Sequence, residues 1–398
     1  MKFTKNFLNI TIADFIVRSA YQMGKTPLLP IFAATLGASG AFLGVIISVS
    51  TLTGLVLKPF IGILSDRWGR RVWLLIGTVF FIVMPFLYGF VQTPQHLFIM
   101  RIIHGLSTAI YGPVTLAYIA ELKPKNIAES LGWFGLAREG GYIVGPALAG
   151  WLLLWTDPVV VFTIIGLISM MALIPVLNLQ DVEIPKVKKQ EVSFWQQSRE
   201  AFKVGVQTPS IWLAGVLESG TFVALYALKA FLPIFALQAG ISVVLVGLFF
   251  SVQEGIHILI KPFGGRIADK LGHLSAIMLG MVILAVGLAL LPLLNGLDLF
   301  ASAILIGGAQ AFIFSSTIAL VSQQITHDNL GAGMGFIGTM QNLGKIIGPV
   351  LGGLLIQRFD FEAVLYILAI LLVLGAILLP LLINRGDRRM QQHPQVEA

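Results

Sequence analysis

"GILSDRWGRR" occupies residues 62–71 and "GRIADKLGHL" residues 265–274, two versions of one polar decamer set 203 positions apart between long apolar stretches. Only 11% of the 398 residues are charged, 57% are hydrophobic, and the mean hydropathy is +0.89. Such a chain has too little polar material to coat a water-soluble globule. A helix that crosses a bilayer needs about 20 apolar residues. The sequence divides into twelve such stretches, near 7–33, 41–63, 72–92, 96–120, 128–154, 159–179, 209–236, 244–266, 274–294, 299–322, 331–357 and 362–384. They are too long and too uniformly apolar for an outer-membrane barrel, whose strands need only about ten residues. The expected fold is an all-α membrane protein with twelve transmembrane helices.

The decamers are part of a longer repeat. One offset of 203 carries Leu29-Pro30-Ile31-Phe32 onto Leu232-Pro233-Ile234-Phe235 and Lys58-Pro59-Phe60 onto Lys261-Pro262-Phe263. It also carries Gly62, Asp66 and Gly69 onto Gly265, Asp269 and Gly272, and Gly132, Gly141, Gly145 and Pro146 onto Gly335, Gly344, Gly348 and Pro349. This reads as a duplicated six-helix unit with both copies in the same orientation. Residues 1–180 and 208–385 are expected to form two pseudo-symmetric six-helix bundles, 181–207 a cytosolic linker, and 386–398 a disordered cytosolic tail. Within the linker, Phe194, Trp195, Ala201 and Phe202 fall roughly on one side of a helix that would lie on the membrane surface, or within a merely solvated connector.

Charge placement sets the orientation. Seventeen Lys and Arg fall in the loops and ends on one side of the spans, against Arg358 alone on the other. By the positive-inside rule both termini are cytosolic. The formal charge of +7 is thus accounted for at the membrane face, and no nucleic-acid partner is expected. The stretch from Phe7 holds Asp14 and Arg18 and lacks a clean cleavage pattern, so it is expected to be a span and not a removable signal. With no cysteine, disulfides, thiolate metal sites and cysteine nucleophiles are excluded. No cofactor or metal is expected: no nucleotide loop, metal-spaced histidine pair or nucleophile elbow occurs, and "GASGAFLG" near Gly37 lacks a phosphate-loop lysine.

The first decamer resembles the signature loop of the major facilitator superfamily, G-x-L-x-D-R-x-G-R-R, through Gly62, Leu64, Asp66, Arg67, Gly69, Arg70 and Arg71. The second copy keeps Gly265, Asp269 and Gly272, with His273 in place of the first basic residue of the closing pair. Arg101 and Gly105 resemble the superfamily's fourth-helix pattern, with His104 where glutamine is common. Gly132, Gly141, Gly145, Pro146 and Gly150 resemble the fifth-helix pattern of its proton-coupled drug antiporters, and the eleventh helix repeats it with Gly335, Gly344, Gly348, Pro349, Gly352 and Gly353. The resemblance implies the major facilitator fold, a monomer embedded in lipid in the cytoplasmic membrane, and alternating access around a central cavity. It also implies that the decamers latch the cytosolic helix ends in one state and release them in another. Proton-coupled efflux of a small organic molecule is the activity implied; uptake of an organic anion by symport or uniport, and a non-transporting sensor, are the rivals.

Twelve ionic groups fall inside the expected spans: Arg18, Lys25, Lys58, Arg101, Arg138, Lys229, Lys261 and Lys345, with Asp14, Glu139, Glu218 and Glu254. At about 2.5–3.5 kcal/mol each, they would cost some 30 kcal/mol facing lipid, and proteins are stable by only about 5–15 kcal/mol. They must face one another or a water-filled cavity. Helical spacing places Asp14, Arg18, Tyr21 and Lys25 on one stripe, with Asp14 and Arg18 one turn apart and able to pair. Glu254, His257 and Lys261 form a second stripe, while Glu218 and Lys229 mark two depths of one wall. Lys58 and Lys261 are expected to snorkel to the interface. Related drug exporters tend to carry an acid near the position of Lys25. A cation there, and eight cations against four acids, favour an anionic, zwitterionic or lipid-like substrate. Desolvation and neighbouring charge move a carboxylate's proton affinity, and histidine titrates near neutrality. Asp14, Glu139, Glu254 and His257 are therefore candidates to carry a coupling proton.

Overall fold

Glycine at 69 and 272 explains why each decamer breaks a helix. Both residues adopt φ of +86°, which a residue with a Cβ rarely adopts, and each ends one long helix and begins the next. In the computed structural model the described residues are 4–122, 127–180, 207–324 and 330–392, together with 196, 199, 202 and 203. They form helices α1 (Lys5–Met23), α2 (Leu29–Thr35), α3 (Gly40–Trp68), α4 (Arg70–Leu87), α5 (Pro94–Leu122), α6 (Ile127–Leu152) and α7 (Pro158–Met170). The chain continues through α8 (Leu173–Leu177), α9 (Pro209–Gln238), α10 (Val243–Leu271), α11 (His273–Leu290), α12 (Leu299–Gln324), α13 (Leu330–Ile356) and α14 (Phe361–Gln392). No strand occurs among the described residues. Side chains satisfy donors that the helix starts leave open: Thr4 Oγ1 accepts from the Phe7 amide (3.2 Å) and Ser39 Oγ from that of Phe42 (3.4 Å).

Together α1 and α2 make the expected first span, but it is broken. Between them Gly24–Leu28 form a wide turn in which Thr26 leaves helical geometry (φ −147°, ψ 123°) ahead of Pro27. The proline ring disfavours helical backbone at the residue before it. The repeat sets Ala230 at the place of Pro27, and α9 runs unbroken. At the other end, α14 continues to Gln392, past its expected limit near 384, because the backbone stays helical through residues read as a disordered tail. Most of the expected interfacial helix lies outside the described residues, as do Lys123 and Lys125. Of it Phe202 is described, with its ring 6.4 Å from that of Phe336.

Nine helical stretches among the described residues are long and apolar enough to cross a bilayer. The three further stretches that the sequence marks as spans are α1–α2, α6 and α13. Each is diluted by polar groups: Asp14, Arg18 and Lys25 in the first, Glu129, Arg138 and Glu139 in the second, Gln341, Asn342 and Lys345 in the third.

Packing follows the repeat. In the first half α1 lies on α6 and α5 on α3 and α4; in the second α9 lies on α13 and α12 on α10 and α11. The break in the first span and α2 also touch the second half, but the two most extensive crossings between the halves are α3 with α13 and α6 with α10. Both are built on small residues that let backbones touch. A methyl group at Gly44 would overlap the Pro349 carbonyl, and one at Gly150 would lie 2.7 Å from the Val243 carbonyl. Each crossing carries a serine hydrogen bond to a backbone carbonyl of the other half. Ser48 donates to the Ile346 carbonyl at 2.7 Å and Ser251 to the Ile143 carbonyl at 2.6 Å, two bonds that the offset of 203 interconverts.

The same four helices part toward the decamers. Built Cβ atoms at Gly62, Gly132, Gly135, Gly265, Gly331 and Gly338 would meet nothing within 4 Å. The halves therefore make their close backbone contacts at the end away from the decamers, with the Lys261–Glu139 ion pair reaching across nearer the decamer end. Gly44→Leu should force the tight end apart. With spin labels on cysteines at Thr35 and Arg358, in an otherwise cysteine-free chain, the interlabel distance is expected to lengthen in Gly44→Leu; an unchanged distribution would show that this crossing does not hold the halves together.

Candidate functional site

Asp14 is 1% exposed and so cannot rely on water to hold its charge. Arg138 reaches it from α6 with a two-pronged contact, Nε to Oδ2 at 2.9 Å and Nη2 to Oδ1 at 2.8 Å, while Nη2 also donates to Thr115 Oγ1 at 2.7 Å. The expected pairing of Asp14 with Arg18 is thus replaced by one between helices, since the planar guanidinium of Arg138 meets both carboxylate oxygens at once. Arg18 instead lies 5.9 Å from the ring centre of Tyr142.

Arg101 and His104 are enclosed within the first half. Arg101 donates to Ser50 Oγ at 2.5 Å and, more weakly, to the Tyr88 hydroxyl at 3.5 Å; that hydroxyl is 3.0 Å from His104 Nδ1. Tyr21 and Phe81 press edge-on against the imidazole. These two residues, expected to face a cavity shared by both halves, border instead a small internal space with Tyr21, Phe81 and Ser169, with room for about one water.

In the second half Glu254 accepts from Lys229 Nζ at 2.8 Å, with His257 Nδ1 at 3.6 Å from its other oxygen. The expected stripe therefore splits, for Lys261 turns away to donate to Glu139 at 2.7 Å across the α6–α10 crossing. Lys261 does not snorkel to the interface, because a carboxylate of the opposite half stands within its reach. Glu218 is held by an amide and not by a cation: Gln341 Nε2 donates to its Oε1 at 2.8 Å, and buried Oε2 finds no protein donor. The offset of 203 carries Arg138 onto Gln341, so α9–α13 repeats the α1–α6 tie with an amide in the place of a guanidinium.

After these pairings Arg18, Lys25, Lys58 and Lys345 have no carboxylate within ion-pairing distance among the described residues. Lys58 lacks what its repeat partner Lys261 has, because the offset places Asn342 where Glu139 stands. Lys25 lies over the ring of Tyr226 (4.7 Å to its centre) and near Tyr21 (5.8 Å), and Lys345 over Phe222 (4.4 Å). Tyr142, Phe222 and Tyr226 escaped sequence reasoning, since an aromatic residue in a span looks like ordinary lipid-facing or core material. Gln341 was findable by the offset from Arg138.

In the first decamer Arg70 joins three helices. It contacts Asp66 at the end of α3 and donates to Glu121 at the end of α5 through Nε (3.1 Å) and Nη2 (2.9 Å), with Nη1 on Ser65 at 2.5 Å. Arg71 donates to the Leu177 carbonyl at 2.9 Å, and Arg67 is exposed. Glu121 was missed because it lies outside the decamer. Its repeat equivalent is Gln324, and Arg70 is matched by His273. Asp269 accordingly has no ion pair among the described residues. The glycine motif is a packing device: methyl groups at Gly141 and Gly145 would press on Arg18 and Gln22 of the first span, and those at Gly344 and Gly348 on Phe222 and Val223 of α9. Gly132, grouped with them by pattern, faces open space.

Two homologous helical lobes, pressed together at one end, diverging at the other and burying ionic groups along their seam, define a membrane transporter. The sequence profile of the Major Facilitator Superfamily matches residues 15–298 and 221–398, and the chain belongs to that superfamily of alternating-access secondary transporters. An uncharacterised MFS-type transporter of Methanocaldococcus jannaschii is 27% identical over 357 residues, 89% of this chain and 92% of that one. Multidrug resistance protein 1 of Bacillus subtilis is 25% identical over 363 residues, covering 88% and 89%. The crystal structure of a point mutant of the nucleoside transporter NupG superimposes with a TM-score of 0.82 at 17% identity, covering 94% of this chain and 99% of that one.

Removing Arg138 alone strands a buried carboxylate. Arg138→Gln is expected to cost about 3–5 kcal/mol of stability. The double change Asp14→Leu with Arg138→Gln, using the residue types found at Leu217 and Gln341, should recover most of the loss in a detergent thermal melt. A double variant no more stable than the single one would contradict the assignment of this pair.

Proposed function

We propose that the protein exports a small anionic or zwitterionic organic solute across the cytoplasmic membrane in exchange for protons. Twelve spans arranged as two six-helix bundles rock about the seam, both termini lying in the cytosol. The observation that carries the substrate charge is the set of half-buried cations without a carboxylate in ion-pairing distance among the described residues, Arg18, Lys25, Lys58 and Lys345, of which Lys25 reaches Tyr226 of the other half. Export is supported by relatives named for multidrug resistance. On the positive-inside orientation the decamer end is cytosolic, so the conformation described is open to the cytosol, the side from which an exporter loads.

Proton coupling needs a group that can exchange its proton without tearing an ion pair. Asp14, Glu139 and Glu254 each form a direct ion pair, whereas Glu218 accepts from the neutral amide of Gln341 and has Lys345 near it without a direct ion pair. Glu218 is therefore the proposed proton site. The seam residues and the Arg70 junction are proposed as solute cavity and conformational latch respectively.

Proteoliposomes carrying a lumenal pH dye, with voltage clamped by valinomycin and potassium, test coupling directly. On adding a permanently ionised organic anion outside, antiport predicts that solute entry raises lumenal pH. Symport would lower it, and uniport would leave it unchanged; either result overturns the exchange. Glu218→Gln should keep solute counterflow within about twofold of the parent while losing the pH signal. Loss of both together would place Glu218 in solute binding or folding instead.

A further inference from the structure

The repeat supplies an internal control for which buried charges the fold itself requires. Lys58 and Lys261 are equivalent under the offset of 203, so a lysine there is common to both lobes. Lys25 and Lys345 are not: the same offset places Leu228 opposite Lys25 and Tyr142 opposite Lys345. Each lobe thus folds around an uncharged residue at the position where the other has a lysine. The two charges need a reason outside the architecture: among the described residues neither has a carboxylate within ion-pairing distance, Glu218 acting on Lys345 only from farther away.

Their placement gives that reason. Phe222 and Tyr226 stand one turn apart on α9, ring centres 6.0 Å apart, and form a continuous aromatic surface. Lys345 comes from α13 of the second lobe to lie 4.4 Å from the centre of the Phe222 ring. Lys25 comes from the break in the first span, in the other lobe, to lie 4.7 Å from the centre of the Tyr226 ring. Lys229 also lies near Tyr226, at 5.6 Å, but Glu254 neutralises it. The surface is therefore flanked by two ammonium groups without a direct ion pair among the described residues, one from each lobe. An aromatic face returns only part of what taking an ammonium out of water costs. Stacking of Phe314 on Phe222 (4.9 Å between centres, planes 5° apart) fixes the platform from behind.

From this arrangement, and resting on the anion-export reading above, we infer that the solute is an organic dianion with a flat or apolar middle, spanning the lobes between Lys25 and Lys345 over the Phe222–Tyr226 surface. A dianion held this way ties both lobes to one molecule, so its occupancy acts directly on their relative position. Monoanions of the same skeleton can satisfy only one of the two cations.

The test uses the purified full chain and matched pairs of organic acids sharing a skeleton, benzoate with terephthalate and naphthoate with naphthalenedicarboxylate, titrated by thermal shift. Dianions are expected to stabilise at concentrations at least tenfold below their monoanionic partners. Lys25→Leu and Lys345→Tyr insert the residues that the other lobe already accommodates, so the fold should tolerate them. Each is expected to reduce dianion affinity to the monoanion level, and Lys25→Arg to restore most of it. Equal stabilisation by mono- and dianions, or dianion affinity unmoved by both variants, overturns the two-point site while leaving anion export intact. Stabilisation by none of the acids overturns the anion reading as well. Where Lys25→Leu fails to fold, Lys345→Tyr and the wild-type comparison of each pair decide alone.

Discussion

Removing charge from water in the middle of a bilayer is the constraint on which this structure turns. Each of the twelve ionic groups within the expected spans must find a counter-charge, an aromatic face, an amide or water, because lipid offers none of these. Three carboxylates solve the problem by ion pairing: Asp14 with Arg138, Glu139 with Lys261 and Glu254 with Lys229. The pairs also do mechanical work of different kinds, since the first and third tie neighbours within one lobe and the second joins the lobes. What is left over is positive: Arg18, Lys25, Lys58 and Lys345 have no carboxylate within ion-pairing distance among the described residues.

The duplicated architecture shows which features belong to the fold and which to the task. Symmetric features hold the scaffold: the positive-φ glycines 69 and 272, the serine bonds from Ser48 and Ser251, and the glycine contacts of both crossings. Other features are asymmetric. The first span breaks before Pro27 where α9 continues. Arg70 gathers Asp66 and Glu121 where His273 and Gln324 cannot. Among the described residues one lobe therefore has a charged junction at its decamer end without a counterpart in the other, although one sequence offset relates the helices around it.

The fold was legible because lipid enforces long apolar helices and because one offset aligns both halves without a gap. Pairings were less so. Helical periodicity placed Asp14 beside Arg18, but a side chain's neighbours within its own helix compete with partners on others, and the bidentate grip of Arg138 prevails. Lys261 reads as an interfacial lysine until α6 brings Glu139 to it. Arg101 and His104 follow the same lesson, drawn into the first lobe by Ser50 and Tyr88, hydroxyls that no pattern marks. The aromatic platform under Lys25 and Lys345 had no sequence signal at all, since phenylalanine and tyrosine are ordinary residues of a membrane helix.

On the proposed function, the cations without ion-pair partners line an aqueous chamber between the lobes, open at the decamer end. Single cysteines at Arg18, Lys25 and Lys345 of this cysteine-free chain, probed in sealed inside-out vesicles with a membrane-impermeant thiol reagent, measure that chamber directly. The account predicts labelling of all three from the cytosolic face, at rates well above that of a cysteine at lipid-facing Ile370. Three cysteines as unreactive as the one at Ile370 would show that no water reaches the seam, and would contradict it.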